Sequence, residues 1–355
     1  MQGMKTITTI LATASAMTSA LLPAQPAAAQ SAAAQSAAAQ SAAAQSAAAQ
    51  SAAAQSAAAQ TAAAPATTVS DIAYVRGGDI YISKGPVERR LTTGGGHSRP
   101  RWSPDGSRLA YLTGAQLWTM NADGTAQKRL TTRAAAGPSW SPDGKWIAFA
   151  SLSCNGGPGV YRIPATGGTP QVLFPSDRRA EQLPPEPATV APRAGTLTDR
   201  LRTDDAVAWS PDGAKIAFRG GDCESVYDSC LSVGTIASGG EQTVAAYGGG
   251  SLENQGFAVV PSWRSDGARL AWTAYQVGET TADNQPVHLV EYNPATGVQR
   301  TVGGTLDREL AYLDATHAVV TAQYRGGSWV MLVGLADGSR QPLRQGSQPS
   351  VRPIR

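Results

Sequence analysis

The stretch RWSPDGSRLAY, residues 101–111, decides the fold because it recurs. SWSPDGKWIAF follows at 139–149, AWSPDGAKIAF at 208–218, and a degraded copy, SWRSDGARLAW, at 262–272. In the first three copies Pro presets φ for a turn, Asp bonds to nearby backbone, and Gly accepts the positive φ that closes a hairpin. A short extended segment leads in, with Pro two residues ahead of the Trp at Pro100, Pro138 and Pro261. An alternating strand leads out, as in Leu109-Ala110-Tyr111 and Ile147-Ala148-Phe149. Each copy is therefore a tight antiparallel hairpin. Recurrence at one place gives Trp102, Asp105, Gly106, Trp140, Asp143, Gly144, Trp209, Asp212, Gly213, Trp263, Asp266 and Gly267 a structural reading. The Asp and Gly residues form turns, and the rings fill the wedge between neighbouring sheets.

A second hairpin signal follows each copy, most plainly in MNADGTAQKRL (120–130). Counterparts stand at 82–92, 163–173, 236–246, 292–302 and 335–343, which makes six outer hairpins. Two inner hairpins are then missing. AYLDATHAVV (311–320) supplies one, with Tyr312 in the Trp place. The other is split: PSVRP (349–353) is a first strand at the end of the folded stretch, and Ile72-Ala73-Tyr74 is a second strand at its start. Joined, they close a ring and remove the exposed sheet edges. The expectation is an all-β, six-bladed β-propeller of four-stranded blades over 71–355, closed by pairing of 349–353 with the N-terminal blade (71–92).

RPRWSPDGSRLAYLTGAQLWTMNADGTAQKRLTT resembles the WD40-like repeat of TolB-type propellers, and the resemblance runs through nearly all of 71–355. It implies a propeller that works in the cell envelope by binding proteins, in the family proper a peptidoglycan-associated lipoprotein. Similar propellers gate prolyl oligopeptidase-like peptidases, which need a G-x-S-x-G nucleophile elbow. No such pentapeptide occurs here. Similar propellers of oligogalacturonate lyases hold a metal with several histidines. The three histidines here, His97, His288 and His317, fall at different places in different blades, so no metal or other cofactor is expected.

Up to Ser70 the only charged residue is Lys5. Lys5, an apolar run to Leu21-Leu22 and small residues around Ala27–Ala29 read as a signal peptide over 1–29. Six SAAAQ repeats dominate 30–70 and read as a low-complexity spacer, because a five-residue period spirals round a helix and leaves no lasting apolar face. The remainder carries 28 basic and 26 acidic residues, without the basic stripe that nucleic-acid binding needs. The expected protein is exported, periplasmic or secreted, monomeric, and not inserted in a membrane.

In an exported protein cysteines pair. Cys223 and Cys230 bracket one hairpin loop, and their proximity makes that pairing the expected one. Cys154 lies fourteen residues after Trp140, as Cys223 does after Trp209, so Cys154–Cys223 is a rival.

Function is sought where the repeat fails. An insertion loop at 176–205 stretches the Trp140–Trp209 spacing to 69 residues against 38 for the preceding pair. The residues leading into the inner strands should ring one mouth of the central channel: His97, Arg99, Asp204, Asp205, Asp307, Arg308 and Gln348. These are the binding candidates, and no catalytic residue is assigned. The expected function is a non-catalytic protein-binding or scaffold module whose partner is an envelope or extracellular protein or peptide. The alternative is an exported enzyme acting on glycans or lactones, which would need Asp204, Asp205 and Asp307 to converge.

Overall fold

The innermost strand of each sheet ends on the tryptophan of the repeat or its substitute, and that strand sets the architecture. The structure, a computed structural model, describes residues 71–152, 158–179, 204–221, 227, 229–249 and 254–353. Blade 1 is β24–β1–β2–β3, with β1 at Ile72–Arg76, β2 at Asp79–Lys84, β3 at Val87–Arg90 and β24 at Ser347–Val351. Blade 2 holds β4 (His97–Trp102), β5 (Arg108–Thr113), β6 (Gln116–Asn121) and β7 (Lys128–Arg129). Blade 3 holds β8 (Ala136–Trp140), β9 (Trp146–Leu152), β10 (Pro158–Pro164) and β11 (Gln171–Phe174). Blade 4 holds β12 (Ala208–Trp209), β13 (Lys215–Arg219), β14 (Ser229–Thr235) and β15 (Glu241–Tyr247). Blade 5 holds β16 (Gln255–Trp263), β17 (Leu270–Val277), β18 (Gln285–Tyr292) and β19 (Gln299–Val302). Blade 6 holds β20 (Arg308–Tyr312), β21 (His317–Tyr324), β22 (Gly327–Gly334) and β23 (Arg340–Gln345). Every pairing within a blade is antiparallel, so the protein is a six-bladed β-propeller of four-stranded blades.

The ring closes where the split hairpin placed it. β24 pairs with β1 through Ile72↔Val351, Ala73↔Ser350 and Val75↔Ser347. The closing strand runs over 347–351, two residues earlier than 349–353. After Val351 the chain instead turns its polar groups to the start of blade 1. Arg352 N–H donates to Asp71 O at 2.8 Å and its guanidinium reaches the Asp71 carboxylate at 2.8 Å. Against this short ladder, about 1 kcal/mol net per bond, stands the wedge of buried Ile72, Tyr74, Val319, Val330 and Leu332 between blades 1 and 6. At about 1.5–3 kcal/mol per large apolar side chain, the wedge is the stronger clasp. Equivalent wedges separate the other blades; Ala73, Ile80, Trp102, Leu109 and Met120 fill the one between blades 1 and 2.

The WSPDG turn closes on its serine as well as on Pro, Asp and Gly. Ser103 Oγ donates to Asp105 Oδ1 (2.5 Å) and accepts from Arg108 N–H (2.9 Å), while Gly106 takes φ +66°. Ser141 repeats this with Asp143 (2.6 Å) and Trp146 N–H (2.9 Å), and Ser210 with Asp212 (2.5 Å) and Lys215 N–H (2.8 Å). In the degraded copy Arg264 replaces the serine and grips Asp266 through its guanidinium at 2.8–3.1 Å. The turn survives because one donor to the carboxylate replaces another.

The prolines ahead of Trp also find their reason. Inner-strand registers slip between Ser98 and Arg101, Ala136 and Ser139, and Val259 and Ser262, so Pro100, Pro138 and Pro261 sit in β-bulges. A residue without an N–H costs nothing where the ladder already skips a bond.

Candidate functional site

The residue three positions before the Trp place, which lies in a bulge in every blade but blade 4, forms a ring at the centre of the propeller. Read around the blades from blade 2, the ring is Arg99, Gly137, Ala206, Val260, Glu309 and Gln348. Arg99, Val260, Glu309 and Gln348 adopt φ of +55°, +53°, +58° and +58°. A left-handed non-glycine residue costs about 1–2 kcal/mol, and its repetition shows that the bulge imposes it. On the apolar side the inner strands nearly touch: a Cβ on Gly137 would lie 2.3 Å from the Ala206 Cβ.

The polar side is one network. Arg99 is 1% exposed. Its guanidinium lies 2.8 Å from Glu309 Oε1 and also pairs with Asp204. Arg99 N–H donates to Gln348 Oε1 at 2.7 Å, and Gln348 N–H donates to Glu309 Oε2 at 2.9 Å. Thr321 Oγ1 donates to the same carboxylate at 2.6 Å. Burial pushes the Glu309 carboxyl up, but the Arg99 charge and the Thr321 and Gln348 donors outweigh it and hold the group below its ordinary range. Blades 1, 2 and 6 and the end of the insertion are tied at one point.

Of the seven binding candidates, Arg99, Asp204 and Gln348 come together. Asp205 pairs instead with Arg219 at 2.9 Å. Asp307, buried, takes both arms of Arg340 at 2.7 and 2.8 Å and the Gly304 N–H at 2.6 Å. His97 bonds Thr113 Oγ1 (3.1 Å) and the Thr93 carbonyl (3.2 Å), with Asp79 at 3.8 Å. Arg308 is half-buried at the start of β20, close enough for its charge to act on Glu309. Asp204, Asp205 and Asp307 thus each have their own arginine and do not converge. Among the described residues no group of three His, Cys, Asp or Glu side chains could hold a metal ion. No described helix is long and apolar enough to cross a membrane.

Glu309, the residue that completes the network, escaped the sequence reading, which took Asp307 and Arg308. The signal was present, since Glu309 stands to Tyr312 as Arg99 stands to Trp102. A second omission is Arg101. At the position just before the Trp place the other blades carry Ser139, Ala208, Ser262, Ala311 and Ser350, all small. The space these leave is a cavity of about 160 Å³ walled by Arg101, Ser262, Trp263, Ala311, Tyr312 and Ser350, among others. Its walls come from innermost strands of four blades, so it lies on the central channel.

The repeat tryptophans join blades. Trp140 Nε1 donates to the Arg101 carbonyl and Trp263 Nε1 to the Ala208 carbonyl, both at 3.1 Å and both across a blade boundary. The Arg352 guanidinium lies 5.2 Å from the Trp102 ring centre. Cys230 is buried in β14 and does not stand as a free thiol. Cys154 and Cys223 lie outside the described residues, as do 1–70 and 180–203 of the insertion loop.

These features define the class: an antiparallel six-bladed propeller clasped by its own chain ends, with a polar network on one side of its axis. Within that class it is a TolB-like propeller in fold. It matches TolB from Acinetobacter baumannii at a TM-score of 0.60 and 16% identity, covering 80% of this chain and 67% of that one. A putative TolB from Agrobacterium tumefaciens matches at 0.53 and 17%, covering 79% and 91%. An oligogalacturonate lyase in complex with manganese follows at 0.47 and 12%, covering 75% and 70%. No family model matches the chain, and no curated protein matches it.

Proposed function

We propose that the protein is an exported, non-catalytic propeller that binds a protein or peptide of the cell envelope or exterior at the channel mouth. The observation that carries this reading is the mutual commitment of the polar groups behind the mouth: Arg99, Glu309, Asp204 and Gln348 hold one another in fixed places. A mouth framed by a fixed network of this kind loses little freedom when a partner docks, which favours recognition. The TolB-like fold supports a protein as the partner. The N-terminal pattern supports export, with mature protein beginning just after the small residues at 27–29.

The test is a crosslinking pull-down with the exported mature protein and with Arg308→Gln, a change at the mouth that removes none of the hydrogen bonds or ion pairs of the buried network. A defined partner captured by the parent and lost from the folded variant is the expected result. Identical capture by both, or capture equal to a control propeller, overturns the reading.

A further inference from the structure

The Arg101 guanidinium meets no carboxylate among the described residues. Among the described residues its side chain contacts only two main-chain oxygens, of Pro100 at 3.0 Å and Pro349 at 3.5 Å. Glu309, the acid among the described residues whose charge acts on Arg101, is itself committed to Arg99. Burial first, and then the neighbouring Arg99 charge, lower the Arg101 pKa to about 10 against the opposing pull of Glu309. The group stays charged at neutral pH.

The walls fit one small planar anion. Ser262, opposite, has no hydrogen bond to another side chain among the described residues. Ser350 Oγ already accepts from Trp102 N–H, and the Trp263 indole N–H is taken by Ala208. The remaining lining is Leu310, Ala311, Tyr312, Val351, Trp263 and two prolines, which offer no competing charge to a charge-assisted bond from Arg101. At about 160 Å³ the space is below the 300–1,000 Å³ of pockets for whole small-molecule ligands, and suits a single terminal group.

We propose that the Arg101 cavity is a carboxylate subsite, in which the guanidinium takes both oxygens of a carboxylate carried by an extended peptide that enters the channel, with the Ser262 hydroxyl as a further donor. The choice of a peptide carrier rests on the protein-binding reading; the subsite itself does not. The carboxylate comes from a chain terminus or from an acidic side chain, and the two are separable by probe.

The probes are acetyl-Ala-Ala-Ala with a free terminus, the same peptide amidated, and acetyl-Ala-Asp-Ala-amide, titrated by tryptophan fluorescence and calorimetry. The expected result is at least ten-fold tighter binding of one carboxylate peptide than of the neutral amide. Preference for the first assigns a chain terminus, and preference for the third an acidic side chain. Arg101→Met removes the charge, and Ala311→Leu fills the cavity from the far side while leaving Arg101 in place. Both variants, shown folded by circular dichroism, should bind all three probes equally weakly. Equal binding of the three probes by the parent, or a preference retained in either folded variant, overturns the subsite. Because no protein partner is used, that outcome leaves the pull-down at the mouth to stand or fall by itself.

Discussion

The Arg99 guanidinium of blade 2 lies 2.8 Å from the Glu309 carboxylate of blade 6, although blade 1 stands between those blades in the ring. Both groups are almost wholly buried, so each depends on the other for its charge. Removing one partner of such a pair costs about 3–5 kcal/mol, because the survivor stays buried and uncompensated. Arg99→Met should therefore lower unfolding free energy by about that much in urea titrations. The double variant Arg99→Met, Glu309→Leu should recover most of the loss, since apolar replacement of both partners is often neutral. A double variant as weak as the sum of the singles would show that the pair is not coupled.

The same pair sets a pH dependence. The folded Glu309 pKa lies below its unfolded value, near 4.3. Its contribution is complete above the unfolded value and is lost as pH falls through the folded one. Asp79 acts in the same direction: burial pushes it up, but Arg90, Gly95 and Thr92 together bring it down. Stability should hold from neutral pH to about 5 and then decline with acid. Glu309→Gln should flatten that decline, as read from urea midpoints at successive pH values. An unchanged slope would contradict the assignment.

The turn serine should matter more than the arginine that replaces it. Ser141 is 3% exposed and its hydroxyl bonds to Asp143 and to both main-chain groups of Trp146, so Ser141→Ala should cost about 1–2 kcal/mol. Arg264 pairs with an Asp266 side chain that is 51% exposed, and such surface pairs give about 0–1 kcal/mol. Thermal melts of Ser141→Ala and Arg264→Ala should rank in that order.

Closure by the chain ends predicts a severe truncation phenotype. Removing 347–355 deletes β24, leaves the edge of β1 unpaired and uncovers part of the wedge around Tyr74 and Val319. The shortened protein should bind a hydrophobic dye and self-associate in sedimentation experiments. A soluble monomer with native spectra would refute the clasp.

One disulfide is expected, joining Cys230 to Cys223, with Cys154 left free. Alkylation of the unfolded, unreduced protein should label one thiol, and peptide mapping should find it at Cys154. Label on Cys223 or Cys230 would point to another pairing.

The fold was legible because the turn chemistry repeats: Pro, Asp and Gly fix a hairpin locally, and the ring follows from counting. The register of the closing strand was less so, since the Arg352 contacts with Asp71 are made between residues 281 positions apart. The mouth was half legible. Arg99 and Gln348 follow from their place before Trp102 and Val351. Glu309 stands to Tyr312 as Arg99 stands to Trp102, but blade 6 lacks the proline that marks the bulge in blades 2, 3 and 5, so the facing position was the harder one to place there. Arg101 was hidden by the repeat itself, because its meaning lies in the small residues of the other blades.

The most direct measurement places a photo-crosslinking amino acid at position 308 on the mouth and, separately, at Val298, which is 61% exposed at the outer hairpin of blade 5. Irradiated in the intact envelope fraction, the protein labelled at 308 should yield a discrete crosslinked species, abolished by excess unlabelled propeller and absent from the 298 sample. The same species from both positions, or none that the unlabelled protein competes away, would contradict a channel mouth built to bind a protein.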